Sequence, residues 1–207
     1  MKYGIIDLEI NNLNSVVRAF ASSLEPSDSL SVISGAKETT QPDVVILPGL
    51  GNFSAGMKAL SLNGLSHELP LWVGTGTKVI GICLGMQLLA SSSEESPGVK
   101  GLDLIPSTVK RLPSDTVNKV PHIGWAETTS ASGLFSSLNN TGDFYFVHSY
   151  HLEVNSDEHI LSRTHFGLTQ FTSSVIGENI LGFQFHPEKS GFMGRKLIKE
   201  IIGWTKK

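Results

Sequence analysis

The sequence has very little cysteine, no excess of positive charge and no long apolar run. Cys83 is the only cysteine among 207 residues, which rules out an internal disulfide and favours a reducing compartment, so we expect a cytoplasmic protein. The formal net charge is −3 and Lys and Arg form no stripe, so no nucleic-acid partner is expected. No apolar run approaches the roughly 20 residues that a membrane-spanning helix needs, and a strand-like segment begins almost at Met1, so we expect neither an anchor nor a signal peptide.

Enough apolar residues are present, 40% of the chain, to bury a sizeable core, and we expect a single domain over residues 1–207. In the first half, strand patterns alternate with helix patterns, which is typical of a doubly wound parallel sheet. In the second half the apolar runs are short and separated by turns, and they predict a smaller antiparallel part. The predicted fold class is therefore α/β with a mostly parallel sheet. Strands are expected at 3–6, 30–33, 44–47, 79–82, 109–112, 144–147, 160–161, 175–176 and 180–185, and a last helix from Gly191 or Phe192.

The single cysteine lies between a buried strand and a helix-forming run. Gly81 and Gly85 stand two residues to either side of it, which is the glycine pattern of a nucleophile elbow, with Cys in the place of Ser. We expect the glycines to permit a sharp turn and to leave room for a substrate. The adjacent helix start favours the thiolate, the reactive form. The alternative is a buried structural cysteine, which is common for a lone cysteine.

A nucleophilic cysteine needs a base and an orienting acid, and both occur after the strand pattern at 180–185. His186 and Glu188 are two residues apart, and in an extended segment such residues point the same way, with Pro187 keeping the segment extended. Glu188 can then fix the tautomer of His186 and stabilise its cation, as Asp does in a Ser-His-Asp triad. Alone, the His-Pro-Glu stretch is also consistent with a surface turn.

Acyl chemistry also needs backbone N–H donors for the developing oxyanion. A glycine-rich turn, Pro48-Gly49-Leu50-Gly51, follows the predicted third strand and can supply one donor at Gly49 or Leu50. The N–H of Leu84, next to the cysteine, can supply the other. A plain strand-ending turn is the alternative for this segment.

These stretches resemble the triad (class I) glutamine amidotransferases. Four further stretches resemble, more narrowly, the glutaminase subunits of imidazole glycerol phosphate synthase: Leu47-Pro48-Gly49-Leu50-Gly51-Asn52-Phe53, Val120-Pro121-His122-Ile123-Gly124-Trp125, Phe146-Val147-His148-Ser149-Tyr150 and 182–190. This resemblance extends over nearly the whole chain. The resemblance implies that Cys83 attacks the side-chain amide of L-glutamine, with His186 and Glu188 completing the triad. It also implies a substrate pocket at Gly51, Gln87, Glu95, Ser149 and Tyr150, although Glu95 could instead be a solvated charge.

The resemblance further implies a heterodimer, in which ammonia passes to a (β/α)8-barrel cyclase subunit that makes imidazole glycerol phosphate and an aminoimidazole carboxamide ribotide. Asn12, Trp125, Tyr145 and Lys189 would face this partner. It implies no cofactor and no metal. Glu9 and Asn11 replace two glycines that are usual in the family's first loop. This departure keeps open a paralogous glutaminase that feeds another acceptor, such as a surface-sugar amidotransferase, and a non-catalytic scaffold subunit is a third alternative.

Overall fold

The computed structural model describes residues 1–8, 13–37, 39–114, 119–130, 133–138 and 140–207. Within these ranges the strands are β1 (Lys2–Ile6), β2 (Ser29–Ile33), β3 (Val44–Gly49), β4 (Lys78–Cys83), β5 (Ser92–Ser93), β6 (Ser107–Arg111), β7 (His122–Ser130), β8 (Thr141–His148), β9 (Tyr150–Val154), β10 (Ile160–Phe166), β11 (Thr169–Ile176) and β12 (Ile180–Phe183). The helices are α1 (Leu13–Ala21), α2 (Phe53–Leu62), α3 (Leu65–Gly74), α4 (Leu84–Leu88) and α5 (Gly191–Thr205).

The strands form one sheet in the order β2-β1-β3-β4-β12-β11-β10-β7-β8, and β9 joins β6 to β11. The first five strands in this order are parallel to their neighbours and are called here the parallel part. From β12 onward the neighbours are antiparallel. In sequence, β5 to β11 all lie between β4 and β12, and they are called here the inserted strands. The predicted α/β fold class is confirmed.

Both faces of the parallel part are covered by helices. Val44 and Ile46 of β3 contribute to the core on the side of α1 and α5, whereas Val45 and Leu47 contribute to the core on the side of α2 and α3. All four side chains are fully buried, which explains why β3 reads as an unbroken apolar run. The predicted last helix is present as α5, and its Leu197, Ile198, Ile201 and Ile202 are buried. None of the helices in the described ranges is long and apolar enough to cross a membrane.

The inserted strands include three that the sequence did not predict: the two-residue β5, and β7 and β9. β7 is nine residues long and pairs with β8 from His122 opposite His148 to Thr129 opposite Thr141. One face of its middle section is exposed and carries Ile123, Trp125 and Glu127, so the segment has no continuous apolar run. The antiparallel part therefore has more strands than expected. The single-domain organisation over residues 1–207 stays a prediction.

Candidate active site

Cys83 lies at an abrupt change from strand to helix. It is the last residue of β4, and α4 begins at the next residue, Leu84. Its backbone angles are φ 55° and ψ −112°, a conformation that is rare for any residue other than glycine. Holding a cysteine there costs on the order of 1–3 kcal/mol, which the surrounding packing must offset. The predicted elbow is present, and its strained residue is the cysteine itself.

The two flanking glycines are needed for a different reason from the one expected. A Cβ added to Gly85 would lie 1.7 Å from the carbonyl oxygen of Leu47, and one added to Gly81 would lie 2.8 Å from the backbone of Met86. Neither glycine has a positive φ. Gly81 and Gly85 therefore allow α4 to lie directly against the backbones of β4 and β3. They fix where Cys83 sits, and the sharp turn is made without them.

His186 and Glu188 meet because β12 lies beside β4 in the sheet. His186 Nδ1 lies 2.8 Å from Glu188 Oε1, and the two side chains are 2% and 0% exposed. The expectation of an extended segment holds for His186, at φ −103° and ψ 94°, but was wrong for the residues after it, because Pro187–Lys189 forms a 3₁₀ turn. Proline is favoured in a first helical turn, because its missing N–H would be unpaired there in any case. The turn, rather than strand alternation, brings the carboxylate back to the ring.

The environment of His186 favours its protonated form. Burial alone would lower the pKa of the imidazole, but the sulfur of Cys83 and the carboxylate of Glu188 outweigh burial and raise the pKa to about 9. Its other nitrogen, Nε2, is buried and has no well-formed hydrogen bond among the described residues, although the sulfur of Cys83 lies near enough to raise the pKa of the ring. With Nδ1 held by Glu188, Nε2 is the nitrogen left to exchange a proton with the sulfur or a substrate.

A pocket of about 240 Å³ opens in front of the cysteine. It is lined by Leu50, Gly51, Cys83, Leu84, Gln87, Glu95, Pro121, Val147, His148, Ser149 and Tyr150. The structure thus brings together every residue that the resemblance assigned to the substrate pocket. The first five come from the parallel part and its turns, and the other six from the segment between α4 and β9.

The glycine-rich turn lies where the sequence predicts it. Gly49 ends β3 directly opposite Cys83 in the register with β4. A Cβ on Gly49 would lie 3.2 Å from the Cβ of Leu84, so a small residue suits the close contact between this strand end and α4. Gly51 has a φ of 115°, which requires glycine. The candidate oxyanion donors at Leu50 and Leu84 therefore flank the cysteine.

Glu95 is not a solvated charge, which was the alternative for this residue. Its Oε2 accepts a hydrogen bond from the N–H of Phe53 at 2.7 Å, at the first turn of α2. Asn52 caps the same helix by accepting from Ser54 N at 2.8 Å. A carboxylate is favoured near this helix end because unpaired N–H groups and the positive end of the dipole meet there. Glu95 lies at the pocket with one oxygen held in this way.

The side chain of Gln87 is tied to its surroundings by both of its N–H groups. It donates to the carbonyl oxygen of Tyr150 at 3.0 Å and to Oε1 of Gln184 at 3.0 Å. Gln184 in turn has its Nε2 3.7 Å from Cys83 Sγ. Gln184 is not among the site residues predicted from the sequence. Its position two residues before His186, on the strand end facing Cys83, was the available signal.

His122 and His148 are buried polar residues with partners. The His148 Nδ1–H donates to the carbonyl oxygen of Tyr150 at 2.7 Å, which leaves His148 Nε2 to accept from His122 Nδ1 at 3.2 Å. Burial lowers the pKa of His148 to about 3 and also lowers that of His122. Both rings are therefore neutral near pH 7. The two rings are hydrogen-bonded to each other, and that of His148 is also hydrogen-bonded to the pocket wall at Tyr150.

The predicted partner-facing residues lie near the triad turn. Trp125 and Tyr145 are opposite one another on β7 and β8, and their rings meet edge to face at 6.0 Å. Trp125 is 57% exposed, and Lys189 is exposed on the triad turn. The backbone N–H of His186 donates a hydrogen bond to the carbonyl oxygen of Tyr145 at 2.9 Å, so this surface adjoins the triad. Asn12 lies outside the described residues, as do Glu9 and Asn11.

Comparison with known proteins assigns the chain to a family. The model of the glutamine amidotransferase class-I family matches residues 5–201. The imidazole glycerol phosphate synthase subunit HisH of Prochlorococcus marinus is 39% identical over 209 residues, which cover 100% of this chain and 96% of that protein. The chain belongs to the HisH family of class-I glutamine amidotransferases. HisH of Thermotoga maritima is 38% identical and covers 98% of this chain and 96% of its own length.

A solved structure agrees with the HisH assignment at the level of the fold. A crystal structure described as a glutamine amidotransferase superposes with a TM-score of 0.76 at 17% identity, and the match covers 99% of each chain. The resemblance stated from the sequence motifs is thereby confirmed, and so is the fold that it implied.

Proposed function

We propose that this HisH-family chain hydrolyses L-glutamine to glutamate and ammonia with a Cys83-His186-Glu188 triad, and that it does so as the glutaminase subunit of imidazole glycerol phosphate synthase in histidine biosynthesis. One observation carries the proposal. The only cysteine stands in a strained elbow that lines a pocket, next to a buried His–Glu pair, and its sulfur together with Glu188 raises the pKa of the imidazole to about 9.

In the proposed reaction the thiolate of Cys83 attacks the side-chain amide carbon of glutamine. The imidazolium of His186 gives its Nε2 proton to the leaving nitrogen, so ammonia departs and a thioester remains. A water molecule then loses a proton to His186 and attacks the thioester, which releases glutamate and restores the thiolate. Glu188 keeps the proton of His186 Nδ1 in place and stabilises the cation without taking the proton itself.

The oxyanion of each tetrahedral intermediate would be held by the N–H groups of Leu84 and of the turn at Gly49 and Leu50. Glutamine itself would be bound by Gly51, Gln87, Ser149 and Tyr150, with its ammonium group near the carboxylate of Glu95. Two observations support these assignments: the second oxygen of Glu95 has no hydrogen bond to any of the described residues, and both N–H groups of Gln87 are donated, which leaves its oxygen as an acceptor.

The ammonia would pass to a (β/α)8-barrel cyclase subunit. Trp125, Tyr145 and Lys189 are the proposed docking residues, because they surround the triad turn and include an exposed tryptophan; Asn12 is proposed from the resemblance alone. The cytoplasmic location predicted from the sequence stays a prediction.

The decisive experiment is Cys83→Ala in the complex with the cyclase subunit. Glutamine-dependent synthesis should disappear, because no other cysteine can replace the nucleophile. Synthesis from added ammonium salt at alkaline pH should continue, because free ammonia needs no thiolate and the partner is unchanged. Residual glutamine hydrolysis above a few per cent would show that the nucleophile is another group.

A further inference from the structure

Two buried side chains, Gln87 and Gln184, connect the pocket wall to the cysteine in one hydrogen-bonded path. It runs from the carbonyl oxygen of Tyr150 to the amide of Gln87, then to the amide of Gln184 and on to Cys83 Sγ. Gln184 is fully buried, and its own backbone N–H is bound to Ser173 O at 2.9 Å. Its side chain therefore cannot turn away to solvent.

The carbonyl oxygen of Tyr150, at the start of the path, determines which group donates and which accepts in each of the later hydrogen bonds. A backbone carbonyl can only accept, so the group that Gln87 presents to Tyr150 must be its NH₂. The second N–H of that NH₂ group then points at Gln184, which must present its oxygen. This leaves the NH₂ group of Gln184 facing the sulfur, 3.7 Å from Sγ. The orientation of both amides follows from this one carbonyl.

We infer that Gln184 is a positioning residue for the glutaminase reaction: it donates an N–H to the sulfur of Cys83, which stabilises the thiolate, and its oxygen holds Gln87 against the pocket. This inference rests on the proposed function. A donor to sulfur favours the anion over the thiol, because a hydrogen bond to an ionised acceptor is about twice as strong as one to a neutral acceptor. Nucleophile and substrate pocket are thereby coupled through one side chain.

Alkylation of the purified chain by iodoacetamide tests the first half, since Cys83 is the only thiol and each adduct reports on it alone. Gln184→Met keeps most of the side-chain volume and removes the donor. We expect the pH midpoint of the alkylation rate to rise by roughly one unit, the size of shift that loss of one charge-assisted hydrogen bond produces. Gln170→Met, the same substitution at an exposed position of β11, should leave the midpoint unchanged.

Glutamine hydrolysis by the complex tests the consequence for the reaction. The loss of kcat/KM in Gln184→Met should be about tenfold near neutral pH and should shrink as the pH rises, because the thiolate then forms without the donor. A loss that arose only from poorer packing would not shrink in this way. Release of Gln87 should also raise KM for glutamine.

The inference would be overturned if the alkylation rate had the same pH midpoint in the unchanged chain and in Gln184→Met. If Gln184→Met does not fold, Gln184→Glu serves in its place. It has the same shape and one of its oxygens still accepts from Gln87, but it faces the sulfur with a carboxylate oxygen that cannot donate and that repels the thiolate. An upward shift at least as large as in Gln184→Met is therefore expected, and its absence is again contradictory. Hydrolysis that persists in Cys83→Ala would instead refute the proposed function, which keeps the two failures apart.

Discussion

The parallel part and the inserted strands contribute to the site in different ways. In the parallel part the placement is made by the backbone: Gly85 lies against Leu47, Cys83 takes a strained conformation, and β12 runs beside β4. In the inserted strands the contribution is made by side chains and carbonyl groups, as in the pair of His148 with the Tyr150 carbonyl.

This difference has a consequence for how each region tolerates change. Backbone contacts at 1.7–2.8 Å from an added Cβ leave no room for even one methyl group in the elbow. Apart from the buried His148, the pocket wall at Val147, Ser149 and Tyr150 and the outer face of β7 are less constrained, since their residues are partly exposed. We infer that the parallel part fixes the chemistry, whereas the inserted strands are where substrate fit and partner contact can be adjusted.

The largest expected effect concerns the two triad residues of the parallel part. We predict that His186→Ala lowers kcat for glutamine hydrolysis by roughly 10⁶-fold and Glu188→Gln by roughly 10⁴-fold, by analogy with the corresponding losses in serine protease triads. The smaller loss in Glu188→Gln follows because the ring remains but its cation is less stabilised. Glutamate release by the complex measures both losses, and the reverse order would require the two roles to be reassigned.

The next effect concerns stability. Gly85→Ala should lower the free energy of unfolding by about 3 kcal/mol or more, or prevent folding, because the new Cβ meets the Leu47 carbonyl that already pairs in the sheet. Gly203→Ala in α5 is the matched control, since nothing lies within 4 Å of its added Cβ. It should raise stability by up to about 1 kcal/mol. Urea unfolding of both variants compares them, and equal stability would contradict the backbone contact as the reason for this glycine.

The parallel part was predictable from the sequence because burial and backbone contacts restrict which residues can occupy it. β3 and β4 are buried on both faces, so their apolar runs are continuous, and the elbow must carry glycine where backbones touch. β7 escaped prediction because its outward-facing residues include the apolar Ile123 and Trp125, so its sequence lacks the alternation of polar and apolar residues typical of a half-buried strand. The 3₁₀ turn at Pro187–Lys189 was missed because proline fits both an extended segment and the first position of a helical turn.

The pH dependence of His186 gives a third prediction. Its pKa is raised from the ordinary 6.5 to about 9, so its contribution to stability is complete below pH 6.5 and is lost as the pH rises through about 9. In Cys83→Ala the contribution of the sulfur is gone, and the pKa should fall below 9 while Glu188 still supports the cation. NMR titration of the histidine side chains measures this fall.

His148 is an internal control in the same titration. Burial lowers its pKa to about 3, so its ring should stay neutral while that of His186 changes charge. An unchanged midpoint for His186 in Cys83→Ala would show that the sulfur does not interact with the imidazole.

The smallest effect on the chain itself is expected in the inserted strands, at Trp125. The ring is 57% exposed and contacts Tyr145 only by its edge, so Trp125→Ala should change the free energy of unfolding by no more than about 0.5 kcal/mol. If Trp125 docks against the cyclase subunit, the same substitution should weaken the complex at least about tenfold, because a buried tryptophan is a frequent hot spot. Leu168→Ala, at a side chain that is 99% exposed between β10 and β11, should alter neither quantity. Titration calorimetry with the purified cyclase subunit measures the affinity of each variant. Equal affinities for the Trp125→Ala and Leu168→Ala chains would show that the docking surface is not on the outer face of β7.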